Sequence, residues 1–300
     1  MAGGNKISVI TVIYNLVENG RVESFREMMN SVTSQTYNNF EHVIVDGGSS
    51  DGTINIVQAF LDSSKKIKFL SEKDDGIYDA MNKGARLSSG DYLVFINSDD
   101  YYNNNQFFEE CIKSFRMSSK DFVYTDSQVL KGNFKLKTIK PDLKRFCYTM
   151  PFGHQSLMIN KRVFYEIGCF DANYSVAADF KFVLKLMLGR YTGQYLPGKF
   201  VTYRAGGASF STNNLSDERS KIIYETYGRE EGLTLEDCKA ILAKEIGPEY
   251  FKIITKIQKS DVKKSLKHKI NFRYFRKWLF SCRYIDRGFN ICFMGHKFRF

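Results

Sequence analysis

The apolar run Tyr92-Leu-Val-Phe-Ile gives way to Asn97-Ser98-Asp99-Asp100, which places two carboxylates where a buried strand should end. Oxygen ligands at such an end suit a hard divalent cation, and a cation held by one or two protein carboxylates can fill its remaining positions with phosphate oxygens. Three earlier runs end in the same way. Ile7 to Ile13 leads into Tyr14-Asn15, Phe40 to Val45 into Asp46-Gly47-Gly48-Ser49-Ser50-Asp51-Gly52-Thr53, and Ile67 to Leu70 into Ser71-Glu72. Further along, Asp179 follows Ala177-Ala178 at an expected helix start, and His154-Gln155 precedes another apolar run.

Taken singly, each of these has a plainer reading. Acidic pairs are common in turns and helix caps, so Asp99-Asp100 reads equally as ligand or cap. Asp46 to Thr53 is also a glycine-rich strand-to-helix turn with Asp51 or Thr53 as cap. Asp179 suits the positive end of a helix dipole. His154-Gln155 suits a hydrogen-bonded structural pair, and Arg204-Ala-Gly-Gly-Ala-Ser209 a glycine turn. Two phosphate-binding fingerprints are missing: three spaced dinucleotide glycines do not occur, and Gly193-Gln-Tyr-Leu-Pro-Gly198-Lys199 ends in Phe200, which has no hydroxyl for magnesium.

The elements that must position these residues alternate. Between the apolar runs lie segments of helical period: Phe25, Met28, Met29 and Val32, then Ile54, Val57, Phe60 and Leu61, then Ile77, Ala80 and Met81. Strand alternating with helix predicts an α/β fold, a mostly parallel sheet flanked by helices, with ligands at the carboxyl ends of its strands, so the polar run-ends should share one crevice. After about residue 102 the pattern changes: a helix over Phe107 to Phe115, runs at Phe122 to Tyr124 and Ser156 to Ile159 separated by loop-like sequence, and a helix from Ala178 with Phe182, Val183, Leu186 and Met187 on its core face. A mixed sheet is expected there. Helices are expected again at Asp217 to Glu231 and Thr234 to Ile246, the latter opening with the capping pattern Thr234-Leu-Glu-Asp237.

With 43% hydrophobic and 15% aromatic residues, 300 residues can bury a substantial core. The six cysteines show neither a zinc spacing nor a disulfide framework and read as reduced thiols. The polar amino terminus and the absence of any apolar run of about 18 residues point to a cytoplasmic protein, at most peripheral to a membrane. The net charge of +11 is carboxy-terminal, since residues 241–300 carry 15 Lys or Arg against 4 Asp or Glu, leaving 29 of each before them. From Lys263 onward the cations interleave with large apolar groups such as Phe275, Trp278 and Phe289. Such a segment either settles on an anionic membrane surface or packs back as an amphipathic helix.

In their order and spacing, Thr11-Val-Ile-Tyr-Asn15, Ser34-Gln-Thr-Tyr-Asn-Asn-Phe40, Val45-Asp-Gly-Gly-Ser-Ser-Asp-Gly-Thr53 and Asn97-Ser-Asp-Asp100 resemble glycosyltransferase family 2 over roughly residues 6–210. Ser71 to Gly84 is similar to a branch whose members build bacterial surface polysaccharides such as O-antigen and colanic acid units. The resemblance implies a GT-A fold and inverting transfer of a hexose, glucose or galactose, from a UDP-sugar to a polyprenyl-diphosphate-linked saccharide, with Mn2+ or Mg2+. Residues 1–102 would form the nucleotide-binding half, 103–215 the acceptor-binding half, and 216–300 a helical, basic, aromatic extension. Nucleotide-sugar binding would fall to Thr11, Tyr14, Asn15, Asp46 (on the base), Asp75, Asn82, Asn97 and Asp99. The metal would go to Asp99 and Asp100. Asp179 would be the general base that takes the acceptor proton, and His154 and Gln155 would lie on the acceptor side, with Gly206 to Ser209 in a mobile loop. Two positions depart from the family pattern: Asn97 stands where many members carry the first acidic residue, and Gly47 where a second aspartate is frequent. The expected location is the inner face of the cytoplasmic membrane, met through residues 263–300, with no nucleic acid.

A rival reading makes the amino-terminal part a non-catalytic nucleotide-binding relative whose basic tail binds RNA or a membrane. A sugar nucleotidylyltransferase would need a glycine-rich, arginine-containing loop after the first strand, and Thr11 to Val17 has neither residue.

Overall fold

The computed structural model describes residues 5–132, 134–143, 146, 148–206, 214–230, 232–243, 290–293 and 296–299. The chain forms two compact units, Met1–Arg219 and Ser220–Phe300.

In the first unit, strand and helix alternate as β1 (Ile7–Ile13), α1 (Val22–Thr33), β2 (Phe40–Asp46), α2 (Thr53–Leu61), β3 (Ile67–Ser71), α3 (Ile77–Leu87) and β4 (Tyr92–Phe95). There follow β5 (Tyr101–Tyr102), α4 (Phe107–Met117), β6 (Phe122–Lys131), β7 (Phe134–Ile139), β8 (Leu157–Asn160), α5 (Lys161–Ile167), α6 (Ala178–Leu188) and β9 (Gly193–Arg204). One sheet runs β3-β2-β1-β4-β8-β6-β9-β5, with β7 paired to β6, so both expected halves of the domain share it. The pairs among β1 to β4 are parallel, and β8 runs against β4 and β6. That reversal sets the site: it carries the amino end of β8 to the same edge as the carboxyl ends of β1, β2 and β4. β6 and β9 run parallel to each other and against β8, so their carboxyl ends arrive there too.

Apolar periodicity places the core. Phe25, Met28, Met29 and Val32 of α1 are fully buried against β1 and β2, as an i, i+3, i+4, i+7 stripe requires. In α2 only Val57 of the expected face is fully buried, while Phe60 and Leu61 pack at the margin and Ile54 is exposed. On α3, Ala80 and Met81 are buried, but Ile77 is exposed. Gly84 lets α3 sit directly on β1, since a Cβ there would stand 2.5 Å from Ile10 Cγ2.

β9 escapes the sequence reading for an identifiable reason. β9 holds Pro197 and Gly198, which read as a turn; here both fall in a bulge, because Leu196 pairs with Thr125 and Lys199 with the next residue, Asp126. A bulge is where a sheet tolerates proline.

In the second unit the end of α7 (Asn214–Ile223) runs into a single π turn, Tyr224–Gly228. Helix α8 (Leu235–Ala243) opens on the expected capping box: the Asp237 N–H donates to Thr234 Oγ1 at 3.1 Å and the Thr234 N–H to Asp237 Oδ2 at 2.8 Å. Of the expected helical extension, the described residues form the end of α7, the π turn and α8, and its last described residues are strands, β10 (Asn290–Phe293) paired antiparallel with β11 (His296–Arg299). Most of the basic segment 263–300, and Gly207 to Ser209 of the expected mobile loop, lie outside the described residues.

Candidate active site

A cleft of about 970 Å3 opens along the carboxyl edge of the sheet. Of the residues expected to bind or react, Tyr14, Asn97, Asp99, Asp100, His154, Gln155 and Asp179 line it, although they come from the ends of β1 and β4, the amino end of β8 and the start of α6.

The acidic pair divides into two roles. Asp100 is buried, and its oxygens are taken: Oδ2 by the Asn97 amide at 3.0 Å and the Gln155 amide at 2.8 Å, Oδ1 by the Arg204 N–H at 3.0 Å. Burial and the neighbouring Asp99 push its carboxyl up to about 7, against the pull of these donors. Asp99 turns its carboxylate to the cleft, where it meets the Arg21 guanidinium at 3.9 Å, and its carbonyl accepts from the Arg204 guanidinium. Asn97 Oδ1 is buried without a hydrogen-bond partner in the same wall. One carboxylate and one orphaned amide oxygen form a hard oxygen donor set, which fits Mg2+ or Mn2+ provided phosphates complete the coordination. Among the described residues no three His, Cys, Asp or Glu come together as a ready-made cage.

Asp179 stands in the first turn of α6, in the same lining. Its Oδ1 accepts from the Tyr78 hydroxyl at 3.1 Å and the Phe180 N–H at 2.7 Å, and its Oδ2 lies 3.1 Å from His154 Nδ1. Burial works to raise this carboxyl, but the His154, Phe180 and Tyr78 bonds outweigh it and hold it below the ordinary value, so Asp179 is ionised at neutral pH. Burial, then the Asp179 charge, push the Tyr78 phenol well above its usual value, which keeps it protonated and a donor. The start of α6 is itself pinned: Glu218 accepts from the N–H groups of Ser175, Val176 and Ala177 at 2.8, 3.0 and 2.9 Å, and from the Ser175 hydroxyl at 2.7 Å. A carboxylate at that end meets both the unpaired donors and the helix dipole.

Five expected binding residues are placed elsewhere. Thr11 is fully buried on β1 with its hydroxyl 2.9 Å from His42 Nε2, inside the core. Asp46 spends its carboxylate on shaping the turn that follows it, accepting from the N–H groups of Gly48 and Ser49, from the Ser49 hydroxyl, and from the Ser71 hydroxyl at 2.7 Å. Asn15, at φ 45°, ties that turn to β1: its Oδ1 accepts the Ser50 N–H and its own N–H donates to the Ser49 hydroxyl. Asn82 clamps the backbone of Phe170 through both ends of its amide, at 2.8 and 3.1 Å. Asp75 is exposed and off the cleft lining, whereas its neighbour Asp74 lines it. A Cβ on Gly47 would stand 2.5 Å from Asp74 Oδ2, so Asp74 fills the space that a side chain at 47 would need. Burial raises its carboxyl despite the Gly76 N–H it accepts.

Sequence reasoning passed over Arg21, Lys73 and Arg219 and read Arg204 as part of a glycine turn, yet all four line the cleft. Arg219 lies over the Phe180 ring at 5.4 Å with its Nε buried and without a partner. The same lining carries Asp74, Asp99, Asp100 and Asp179, so the cleft sets cations beside carboxylates.

The family model for Glycosyl transferase family 2 matches residues 8–173. A PGL/p-HBAD biosynthesis glycosyltransferase of Mycobacterium tuberculosis is 31% identical over 159 residues, which cover 52% of this chain and 62% of that protein. The glycosyltransferase GlyA of Streptococcus pneumoniae is 36% identical over 97 residues, 32% of this chain and 13% of GlyA. This chain therefore spans less than two thirds of the length of either of these two relatives. Among solved structures, Staphylococcus aureus TarS 1–349 in complex with UDP-GlcNAc superposes with a TM-score of 0.63 at 17% identity, covering 97% of this chain and 95% of that one. The mannosyltransferase PcManGT from Pyrobaculum calidifontis, in complex with GDP-Man and Mn2+, gives 0.57 at 14% identity, covering 84% and 73%.

Proposed function

Because the chain belongs to glycosyl transferase family 2 and has the GT-A fold of its structural neighbours, we propose that it moves a hexose, glucose or galactose, from a UDP-sugar to a saccharide carried on a polyprenyl diphosphate. The observation that carries this reading is the cleft itself, which brings a cation-competent carboxylate, Asp99, and a hydrogen-bonded ionised carboxylate, Asp179, into one lining. Support for a nucleotide diphosphate sugar comes from the ligands held by TarS and PcManGT.

The donor diphosphate would lie along the Asp99 side, with Arg21 and Arg204 beside it. Asp99 and Asn97 Oδ1 would hold Mn2+ or Mg2+. Bound there, such an ion would neutralise charge on the departing diphosphate. The acceptor hydroxyl would approach from the Asp179 side and attack the anomeric carbon directly, with inversion. As the new bond forms, the bond from that carbon to the diphosphate oxygen breaks, its electron pair leaves with the nucleotide, and the acceptor's proton passes to the group centred on Asp179. Tyr78 and Glu218 fix that group.

No helix among the described residues is long and apolar enough to cross a membrane. We place the protein at the inner face of the cytoplasmic membrane, where cations and aromatic groups of residues 263–300 would meet anionic lipid and a lipid-borne acceptor. The role in O-antigen-like polysaccharide assembly rests on the Ser71 to Gly84 resemblance.

The test is calorimetric titration with UDP, UDP-glucose, UDP-galactose, UDP-N-acetylglucosamine and GDP-mannose, each with manganese and again with chelator. Manganese-dependent binding of UDP-glucose or UDP-galactose is expected. Binding of GDP-mannose alone would overturn the donor assignment, and binding of none by folded protein would favour a non-catalytic relative.

A further inference from the structure

Resting on the glycosyl-transfer reading above, we propose that Arg219 binds an oxyanion carried by the acceptor, a phosphate or a carboxylate, through the two terminal nitrogens of its guanidinium. The other arginines of the cleft are already engaged: Arg21 faces Asp99 at 3.9 Å, and Arg204 meets Glu27 and the Asp99 carbonyl. Lys73 is exposed, where water serves it. Arg219 is different. It is half-buried in the cleft lining and forms no hydrogen bond or ion pair with the described residues. Its Nε is buried, while the terminal nitrogens, equally unpaired, keep accessible surface. The carboxylates nearest in the chain and in space are spent on other donors, Asp179 on Tyr78, Phe180 N–H and His154, and Glu218 on residues 175–177. Burial works against the Arg219 charge, and the Asp179 charge offsets that only in part.

A guanidinium drawn out of water without a counter-ion is costly, and a ligand that supplies one recovers the cost. The planar fork matches phosphate or carboxylate through two parallel N–H···O bonds. It is also held in place, lying 5.4 Å over the ring of Phe180, which is itself fully buried. Phe180 directly follows Asp179, so an oxyanion on Arg219 belongs to the molecule whose hydroxyl Asp179 meets, whereas the donor diphosphate has Arg21 and Arg204. Arg219 would thereby favour an acidic acceptor, its charge offsetting the repulsion between that acceptor and ionised Asp179.

The test is calorimetric titration of inorganic phosphate and of glucuronate into the full chain saturated with UDP and magnesium. Wild type should bind at least one of them. Phosphate alone points to the phosphate that joins a saccharide to its carrier, and glucuronate to an acidic sugar. Arg219→Met keeps the length of the side chain and its contact with the Phe180 ring but has no charge, so oxyanion affinity should fall about tenfold or more while UDP affinity and Tm hold. Arg219→Lys keeps the charge and loses the fork; it should bind between the two, and it replaces the Met variant in the comparison if that one loses Tm. If neither oxyanion binds UDP-loaded wild type, or binding persists in Arg219→Met, the proposal fails while glycosyl transfer stands. If Arg219→Met weakens UDP as much as the oxyanion, Arg219 serves the donor and the proposal is overturned. If folded wild type does not bind UDP at all, the transfer reading falls, and the proposal with it.

Discussion

Glu218 should matter to the site although it is not part of the cleft lining. Its carboxylate accepts three backbone N–H groups and one hydroxyl from residues 175–177, all at 2.7 to 3.0 Å, and these residues lead directly into the turn that carries Asp179. Glu218→Ala strands three donors at a helix start. Because the side chain is only half-buried, water can reach some of them, so we take about 1 kcal/mol for each N–H, about 3 kcal/mol in all. In a unit of this size each kcal/mol moves Tm by roughly 2–4 °C, giving a fall of about 6–12 °C by calorimetry. Glu218→Gln keeps one accepting oxygen and should lose about half as much. Asp179 would be displaced as well, and since misplacement by an ångström can cost about a hundredfold, UDP release should fall by up to that factor while nucleotide affinity is unchanged. Unaltered Tm and turnover in Glu218→Ala would refute the pinning argument.

Three other perturbations follow from the packing. Gly84→Ala puts a Cβ 2.5 Å from Ile10 Cγ2 and 3.3 Å from Val45 Cγ2, so thermal or denaturant unfolding should register about 1–3 kcal/mol of overpacking. Gly47→Ala collides with Asp74 Oδ2 at 2.5 Å and should weaken nucleotide binding in calorimetry as much as Asp74→Ala does. If the two variants differ, Asp74 does not act through that position. Glu41 is buried where β1, β2 and the Ser89 turn meet; burial tends to raise its carboxyl, but Lys6, the Ser89 N–H and the Ser8 and Ser89 hydroxyls hold it well below the usual range. A depressed folded-state value stabilises above the unfolded value, about 4.5, and that stability is lost as pH falls below it. Glu41→Gln should therefore unfold at lower denaturant at pH 7 and show a flatter loss of stability between pH 5 and 3 than wild type.

The first four strands were legible because each is a short apolar run ended by polar residues, and α1 because its stripe is regular. Local pattern failed where long-range pairing decides. β9 contains a proline and a glycine that only a bulge accommodates, and β5 is two residues that find Val201 and Thr202 a hundred positions away. The same division runs through the site. Asp99, Asp179 and His154 stood at run-ends or beside apolar runs, so type and position flagged them. Tyr78 lay within the Ser71 to Gly84 stretch, but its bond to Asp179 spans 101 residues, and that of Glu218 to Val176 spans 42. Asp46, Asn15 and Asn82 have the residue types of ligand contacts, yet here they hold backbone: a motif marks a position as constrained without saying whether substrate or loop geometry imposes the constraint.

The most direct test of the whole account is a paired comparison of Asp99→Asn and Asp179→Asn, reading manganese-dependent UDP-sugar binding by calorimetry and UDP release on the same preparations. Asp99→Asn should lose the manganese dependence of binding. Asp179→Asn should bind as wild type does while release falls by about a hundredfold to ten-thousandfold. Equal loss of binding in both, or undiminished release in Asp179→Asn, would contradict the division of the cleft into a diphosphate side and a proton-accepting side.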